Sequence, residues 1–387
     1  MTGRTAVVVG GGIGGLATAL ALTRRGWEVE VLERADEFTE IGAGLSLWPN
    51  ALRALAALGL DERVRALGAV ERGGGLRSRR GRWLSRSDNA ELERRFGWPL
   101  LVVHRADLVR ELANALPRQV LRPGSAVRGV TADGEALVVE HTRGTSRADL
   151  VVGADGLRST VRRQWWPEAA APRYAGHTGW RMVTEPLAEP PLEGAAFWGR
   201  GERFGFTALP GGRVYCFATA TTPSGGAAPG GERAAVLDRF GSWPDPVPRL
   251  LAAVPENAVL RHDIYDLPPL PGYTRGRVAL LGDAAHAMTP ALGQGACQAL
   301  EDAVTLAVCL AATSDMGAAL ADYDRRRRPR TQAVVRRSAR LAAVGQWAWP
   351  PAALLRDIAA RATPVPLSLR AMAPVLDWTP PAARARG

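Results

Sequence analysis

Three glycine-rich segments, each placed where a strand runs into a helix, carry the residue types that bind a phosphorylated cofactor. The first is Gly10-x-Gly12-x-x-Gly15, with Glu33 after it at the end of the next strand. Glycines at this spacing allow a tight turn and let a pyrophosphate approach a helix N-terminus, whose free N–H groups and dipole favour negative charge. The acid is placed to accept hydrogen bonds from an adenosine ribose, and FAD and NAD both satisfy this fingerprint. The second segment is Gly153-Ala154-Asp155-Gly156-Leu157-Arg158-Ser159 with Arg162. The third is Gly282-Asp283-Ala284-Ala285-His286, followed by Pro290 and Gly293-Gln294-Gly295. Missing chemistry is as informative. All 49 basic residues are arginine, so a pyridoxal Schiff base, a P-loop lysine and a catalytic lysine amine are excluded. Cys216, Cys297 and Cys309 are scattered and read as buried apolar residues, and His104, His141, His177 and His262 do not cluster as ligands. Neither a disulfide framework nor a metal site is expected.

The elements that must position these motifs follow from hydrophobic period and turn chemistry. Thr5–Val9, a helix from Ile13 to Arg25 and Glu28–Leu32 form a βαβ unit that opens a parallel sheet. Helical spacing recurs around Pro49–Leu58 and Arg105–Leu116, while Leu137–His141 and Leu150–Val152 read as strands. From Tyr174 to His262 the pattern changes to alternating, aromatic segments such as Arg203–Leu209 and Arg213–Thr219, joined by Pro210-Gly211-Gly212. A largely antiparallel sheet is expected there. Parallel-type Arg277–Leu281 then leads into the helical stretch Ala296–Ala312. The expected fold is α/β: a Rossmann-type nucleotide-binding domain, discontinuous over 1–172 and 263–345, with an inserted substrate-binding sheet over 173–262. Residues 346–387, rich in Pro, Ala and Trp, are expected to wrap the core as short helices.

With its three motifs in this order, from Val7 to about Arg330, the sequence resembles the flavoprotein aromatic hydroxylases of the para-hydroxybenzoate hydroxylase fold. It is most similar to the salicylate hydroxylase, urate hydroxylase and zeaxanthin epoxidase-like branch. The resemblance implies an FAD-dependent monooxygenase in which NADH or NADPH reduces FAD and O₂ yields a C4a-hydroperoxyflavin, whose distal oxygen passes to a small aromatic, possibly anionic, substrate. On this resemblance Gly10, Gly12, Ile13, Gly14, Gly15, Glu33 and Arg34 hold the adenosine half, and Val127 contacts the adenine. Arg105 reaches the phosphate and ribose region, Asp155 serves FAD and pyridine nucleotide, and Asp283 binds ribose or ribityl hydroxyls. The backbone of Gly293, Gln294, Gly295 and Ala296 approaches the pyrophosphate and isoalloxazine, with Gly44 and Leu45 on the flavin side. Pro290 and the Gly293–Gly295 loop are expected nearest C4a, where small side chains leave room for a peroxide. Substrate contacts are assigned to Trp180, Arg203, Phe206, Tyr215 and Phe217, with Arg203 and Tyr215 orienting the substrate. His286 is expected to pack near the cofactor rather than act as a base.

The formal charge of +11 invites a nucleic-acid partner, but the arginines are spread along the chain without a recognised motif, so none is expected. The dense run Arg325–Arg328 with Arg330 reads as a solvated helix C-terminus. The longest clean apolar run, Ala303–Ala312, is too short to span a bilayer, and a soluble cytoplasmic protein, monomeric or homodimeric, is expected. Two other functions stand beside hydroxylation: epoxidation of an alkene or isoprenoid by the same chemistry, and non-catalytic flavin binding. A flavin halogenase, which resembles a lysine-dependent mechanism, does not fit a lysine-free chain.

Overall fold

The computed structural model describes residues 3–38 and 43–382; the end of the expected C-terminal wrapping segment, 383–387, lies outside them. Thr5–Val9 is the centre of a six-stranded sheet. It pairs in parallel with Glu28–Leu32 on one side and Leu150–Gly153 on the other. Leu121–Arg122 and Val278–Leu280 extend the sheet in parallel, and antiparallel Thr274–Arg275 closes one edge. Val7, Val8, Val151 and Val152 are almost fully buried, as strands covered on both faces must be. Helix Ile13–Thr23 packs along helix Gly295–Ala312, so the first and third motifs meet at one end of the sheet.

The second sheet has seven strands in the order Leu260–Asp266, Arg173–Val183, Val214–Ala220, Glu202–Ala208, Gly194–Trp198, Gly73–Ser78 and Trp83–Asp88. Only the pairing of Gly194–Trp198 with Gly73–Ser78 is parallel. The expected segment 173–262 supplies most of it, but Gly73–Ser78 and Trp83–Asp88 join from the N-terminal segment and the edge strand runs on to Asp266. One face forms a core of Trp180, Phe197, Phe204, Phe206 and Cys216. Helices Glu232–Phe240 and Val247–Ala252, which the alternating pattern around them hid, cover it with Phe240 and Leu250.

The arginine run is not a solvated helix end. Helix Met316–Gly345 continues through Pro329, and Arg327, 1% exposed, forks between Glu301 and Asp302, both fully buried on the helix Gly295–Ala312. Arg330 grips Glu301 with Nε at 2.7 Å and Nη2 at 2.8 Å, while Arg325, Arg326 and Arg328 pair with Asp322 and Asp324 on their own helix. Helix Gly295–Ala312 itself is long and apolar enough, by length and composition alone, to cross a membrane, which the clean run Ala303–Ala312 did not reveal. It lies 78% buried inside the protein with its two carboxylates ion-paired, so it is a core helix. Replacing Arg327 by Met leaves two carboxylates buried with fewer cations, and breaking a buried pair in this way costs about 3–5 kcal/mol. The midpoint of urea unfolding of Arg327→Met is therefore expected to fall steeply, and an unchanged midpoint would mean that the cluster does not hold the fold.

Candidate active site

A cavity of about 840 Å³ lies where the motif-bearing ends of the first sheet face the second sheet. Its first half is built from backbone. Gly10 has φ +108°, and a Cβ there would stand 2.4 Å from the Ala154 carbonyl oxygen; a Cβ on Gly15 would stand 1.9 Å from the Gly10 carbonyl oxygen. Any side chain would push the turn, helix and strand apart. Helix Ile13–Thr23 starts at Gly12 with no side-chain cap, so its first N–H groups are left for an anion. Glu33, Arg34 and Val127 line the same end. The Glu33 carboxylate accepts from Gly11 N–H at 2.6 Å and Ala35 N–H at 2.9 Å, which orients it and leaves lone pairs for a ribose.

The third motif builds the opposite wall. Gly282, at φ +56°, turns the chain so that Asp283 is exposed into the cleft. Pro290 forms a short 3₁₀ turn ending at Gly293, φ +62°, and helix Gly295–Ala312 then begins without a side-chain cap. A Cβ on Gly295 would meet nothing within 4 Å, so any side chain there projects into open cavity. His286 does not face the cleft: it is 2% exposed, and its Nε2 lies 2.5 Å from Asp302 Oδ2, consistent with the packing role expected of it. Burial alone would raise the Asp302 carboxyl, but His286, Arg327 and the Gly282 N–H hold it well below the usual carboxylate range. Asp155 borders the cleft, yet its carboxylate accepts from Ser159 Oγ at 2.5 Å and from Thr160 N–H at 2.7 Å, fixing the start of helix Thr160–Trp165. Arg162 on that helix donates to the Ala284 carbonyl at 2.8 Å and ties the second motif to the third.

Side chains of the second sheet close the cleft, and strand alternation decides which. Arg203, Tyr215 and Phe217 share the cleft face: Arg203 stands opposite Thr219, and Tyr215 opposite Thr207. Tyr215 and Phe217 have ring centroids 6.1 Å apart. Phe206 lies on the other face, 4% exposed and 6.4 Å from the Phe197 ring, so it is a core residue and not a substrate contact. Trp180 borders the cleft, but its indole turns into the same core, donating to Glu232 Oε2 at 2.7 Å and meeting Phe240 edge-on. Its neighbour Arg181, opposite Phe217, holds the cleft-facing position instead. Two glycines permit this arrangement: a Cβ on Gly44 would stand 2.3 Å from Tyr215 Cγ, and one on Gly205 would stand 2.1 Å from Phe217 Cζ.

The charges around the cavity are unequal. Arg105, the first residue of helix Arg105–Asn114, is pulled below its ordinary pKa by burial and by Arg181, against the pull of Asp283. Burial, aided by the charge of Arg356, lowers Arg203 to about 10. Burial raises the Tyr215 phenol, which keeps its proton at neutral pH. Two uncapped helix N-termini, glycines that admit backbone-close approach, and an acid at each end make a cradle that fits an extended dinucleotide with two phosphates.

Comparison with known proteins identifies that ligand. The family model described as the FAD binding domain matches residues 4–196 and 270–338. The chain is 40% identical over 348 residues to the aurachin C monooxygenase/isomerase of Stigmatella aurantiaca, covering 89% of this chain and 91% of that protein. It is 36% identical over 338 residues to an FAD-dependent urate hydroxylase of Klebsiella pneumoniae, covering 85% and 87%. The crystal structure of Klebsiella pneumoniae HpxO complexed with FAD and uric acid superposes with a TM-score of 0.89 at 31% identity, over 95% of each chain. Since the Gly295 Cβ direction is open cavity, Gly295→Leu is expected to fold normally but to retain much less FAD after desalting. Cofactor absorbance per protein checks this, and full retention would take the loop out of the cofactor site.

Proposed function

We propose that this chain, which belongs to the family of flavoprotein monooxygenases built on the FAD binding domain and is an FAD-dependent monooxygenase, hydroxylates a small aromatic or heteroaromatic substrate bearing an acidic or anionic oxygen. The observation that carries the substrate class is Arg203. It lines the cleft, its Nε is sealed from solvent with no hydrogen-bond partner, and it makes no ion pair among the described residues. A guanidinium kept this way is costly unless an incoming anion completes it. Phe217 and Tyr215 on the same sheet face supply an aromatic wall for a ring. A structural neighbour complexed with uric acid, a heteroaromatic acid, supports this reading.

When bound, FAD accepts reducing equivalents from NADH or NADPH and, with O₂, supplies the oxygen atom that is transferred. The chain holds it by the glycine turn at Gly10–Gly15, by Glu33 and Asp283, and by the N–H groups at Gly295 and Ala296, with Arg105 contributing positive charge. Arg203 holds the substrate oxygen as an anion, which makes the ring carbon that receives oxygen more nucleophilic. The sheet and the Pro290–Gly295 wall exclude water from the reacting atoms. We place the enzyme in the cytoplasm as a soluble protein, a reading supported by its FAD-bound relatives. A panel of phenols and heteroaromatic acids, set beside neutral arenes and alkenes, is expected to stimulate NAD(P)H oxidation only in its acidic members, with a product heavier by one oxygen. For the best of these, Arg203→Gln is expected to lower kcat/KM about tenfold or more, equivalent to about 1.4 kcal/mol; parent kinetics in the variant would remove Arg203 from the site.

A further inference from the structure

Strand Arg173–Val183 loses register between Tyr174 and Thr178, where three residues stand opposite the single Ile264 of the neighbouring strand. Gly176, at φ +82°, makes the turn of this bulge. Bulges beside a cavity re-aim a side chain out of the regular alternation. Here the re-aimed residue is His177, 4% exposed, which lines the cleft. Its Nδ1 lies 3.1 Å from the Ala175 carbonyl oxygen. A carbonyl oxygen only accepts, so Nδ1 carries the proton, and Nε2 of the neutral ring holds a lone pair. Nε2 has no hydrogen-bond partner among the described residues.

The surroundings favour a neutral ring. Burial lowers its pKa, the Ala175 bond opposes this, and the charge of Arg203 on strand Glu202–Ala208 adds to the lowering. Arg356, on helix Pro350–Ala362, acts on Arg203 in turn. On the adjacent strand Leu260–Asp266, His262 stands opposite Gly179 on the same sheet face at the rim of the cleft, where burial and the charges of Arg181 and Arg105 lower its pKa. The Asp263 carboxylate is engaged by Arg261, Thr178 Oγ1 and the Gly225 N–H. Tyr215 keeps its own proton. His177 is thus the neutral base beside the guanidinium that receives the anion.

We propose that His177 Nε2 accepts the proton of the substrate's acidic hydroxyl or ring N–H, so that the substrate enters neutral and becomes, inside the cleft, the anion held by Arg203. This rests on the acidic aromatic substrate proposed above. The substrate O–H or N–H bond breaks, its electron pair stays on the substrate, and a new N–H bond forms at Nε2. The net charge of the complex is unchanged, because an imidazolium and an aromatic anion appear together.

The test uses the FAD-loaded enzyme without NAD(P)H and 4-nitrophenol as the probe, in weakly buffered solution well below the probe's own pKa. Difference absorbance reports whether bound probe is phenol or phenolate, and a pH electrode counts protons released per probe bound. Wild-type enzyme is expected to bind phenolate with no net proton release. His177→Asn keeps an N–H donor for the Ala175 carbonyl but has no basic nitrogen; its bound probe is expected to stay phenol, or to appear as phenolate only with a proton released to solution. Wild-type enzyme that releases one proton per phenolate bound overturns the proposal without any variant, as does His177→Asn that binds phenolate without release. If phenolate binds with proton release and only Arg203→Gln abolishes it, the anionic substrate stands and His177 falls. If wild-type enzyme binds only neutral phenol, unaffected by Arg203→Gln, both readings fall.

Discussion

The cleft is held in shape by a cluster of charges that the cleft never touches. Glu301 and Asp302, adjacent on a core helix, have fully buried side chains, and Arg327 reaches both at about hydrogen-bond length. Removing two carboxylates from water is costly, and only well-placed cations and hydrogen bonds make it tolerable. The groups that satisfy them come from every segment that shapes the cofactor wall. Asp302 accepts from the Gly282 N–H at 3.0 Å, just before Asp283. Asn50, on the helix after strand Gly44–Leu47, donates to Glu301 at 2.7 Å and to Gln294 at 3.0 Å, and Gln298 does the same from within the helix. The position of the Gly293–Gly295 turn, and of the helix N-terminus behind it, is therefore set by charge pairing one or two helical turns deeper in the protein.

The two ends of the cleft solve different recognition problems with different materials. A cofactor with fixed phosphates is met by backbone, because N–H groups at helix starts cannot change rotamer and glycines let them come close. A substrate is met by side chains on the sheet, where each second residue faces the cleft and the residues between build the core. Thus Trp180, Phe204 and Phe206 stabilise the sheet, while Arg181, Arg203, Tyr215 and Phe217 face the cleft. A substitution at Arg181, Arg203, Tyr215 or Phe217 can therefore leave the core of the sheet intact, since none of these four belongs to it.

Much of this was legible in the residues. The opening strands end where their glycine and acid motifs place them, and Arg203 with Tyr215 falls on one face as the Pro210–Gly212 turn suggests. Phe206 was misplaced although the signal was present: it is three residues from Arg203 in one strand, and odd spacing puts the two on opposite faces. The same parity separates Trp180 from Arg181. The arginine run was misread as a solvated helix end because no local pattern tells that a buried carboxylate pair on another helix stands opposite, or that the helix continues through Pro329. His177 was invisible for a different reason. A bulge breaks the alternation from which its direction would be read, and the bond that fixes its tautomer is to backbone. The fit of Gly44 against Tyr215 joins residues far apart in sequence and leaves no local mark.

The electrostatics of the substrate end discriminate between the reactions such a site can support. Arg181 and Arg203 face the same cavity from the two strands that flank Val214–Ala220, and neither forms an ion pair with a described residue. Burial leaves the Arg203 guanidinium short of hydration, the charge of Arg356 adds to that cost, and together they lower its pKa. The aromatic anion proposed above would relieve both penalties on binding, so that the unpaired charge of Arg203 becomes affinity for the ionised form of the substrate. A neutral alkene on the same wall would bury Arg203 further without neutralising it. Oxygen transfer to an ionised ring is therefore the reaction for which this charge distribution is complementary, and epoxidation of an uncharged alkene is the one it opposes.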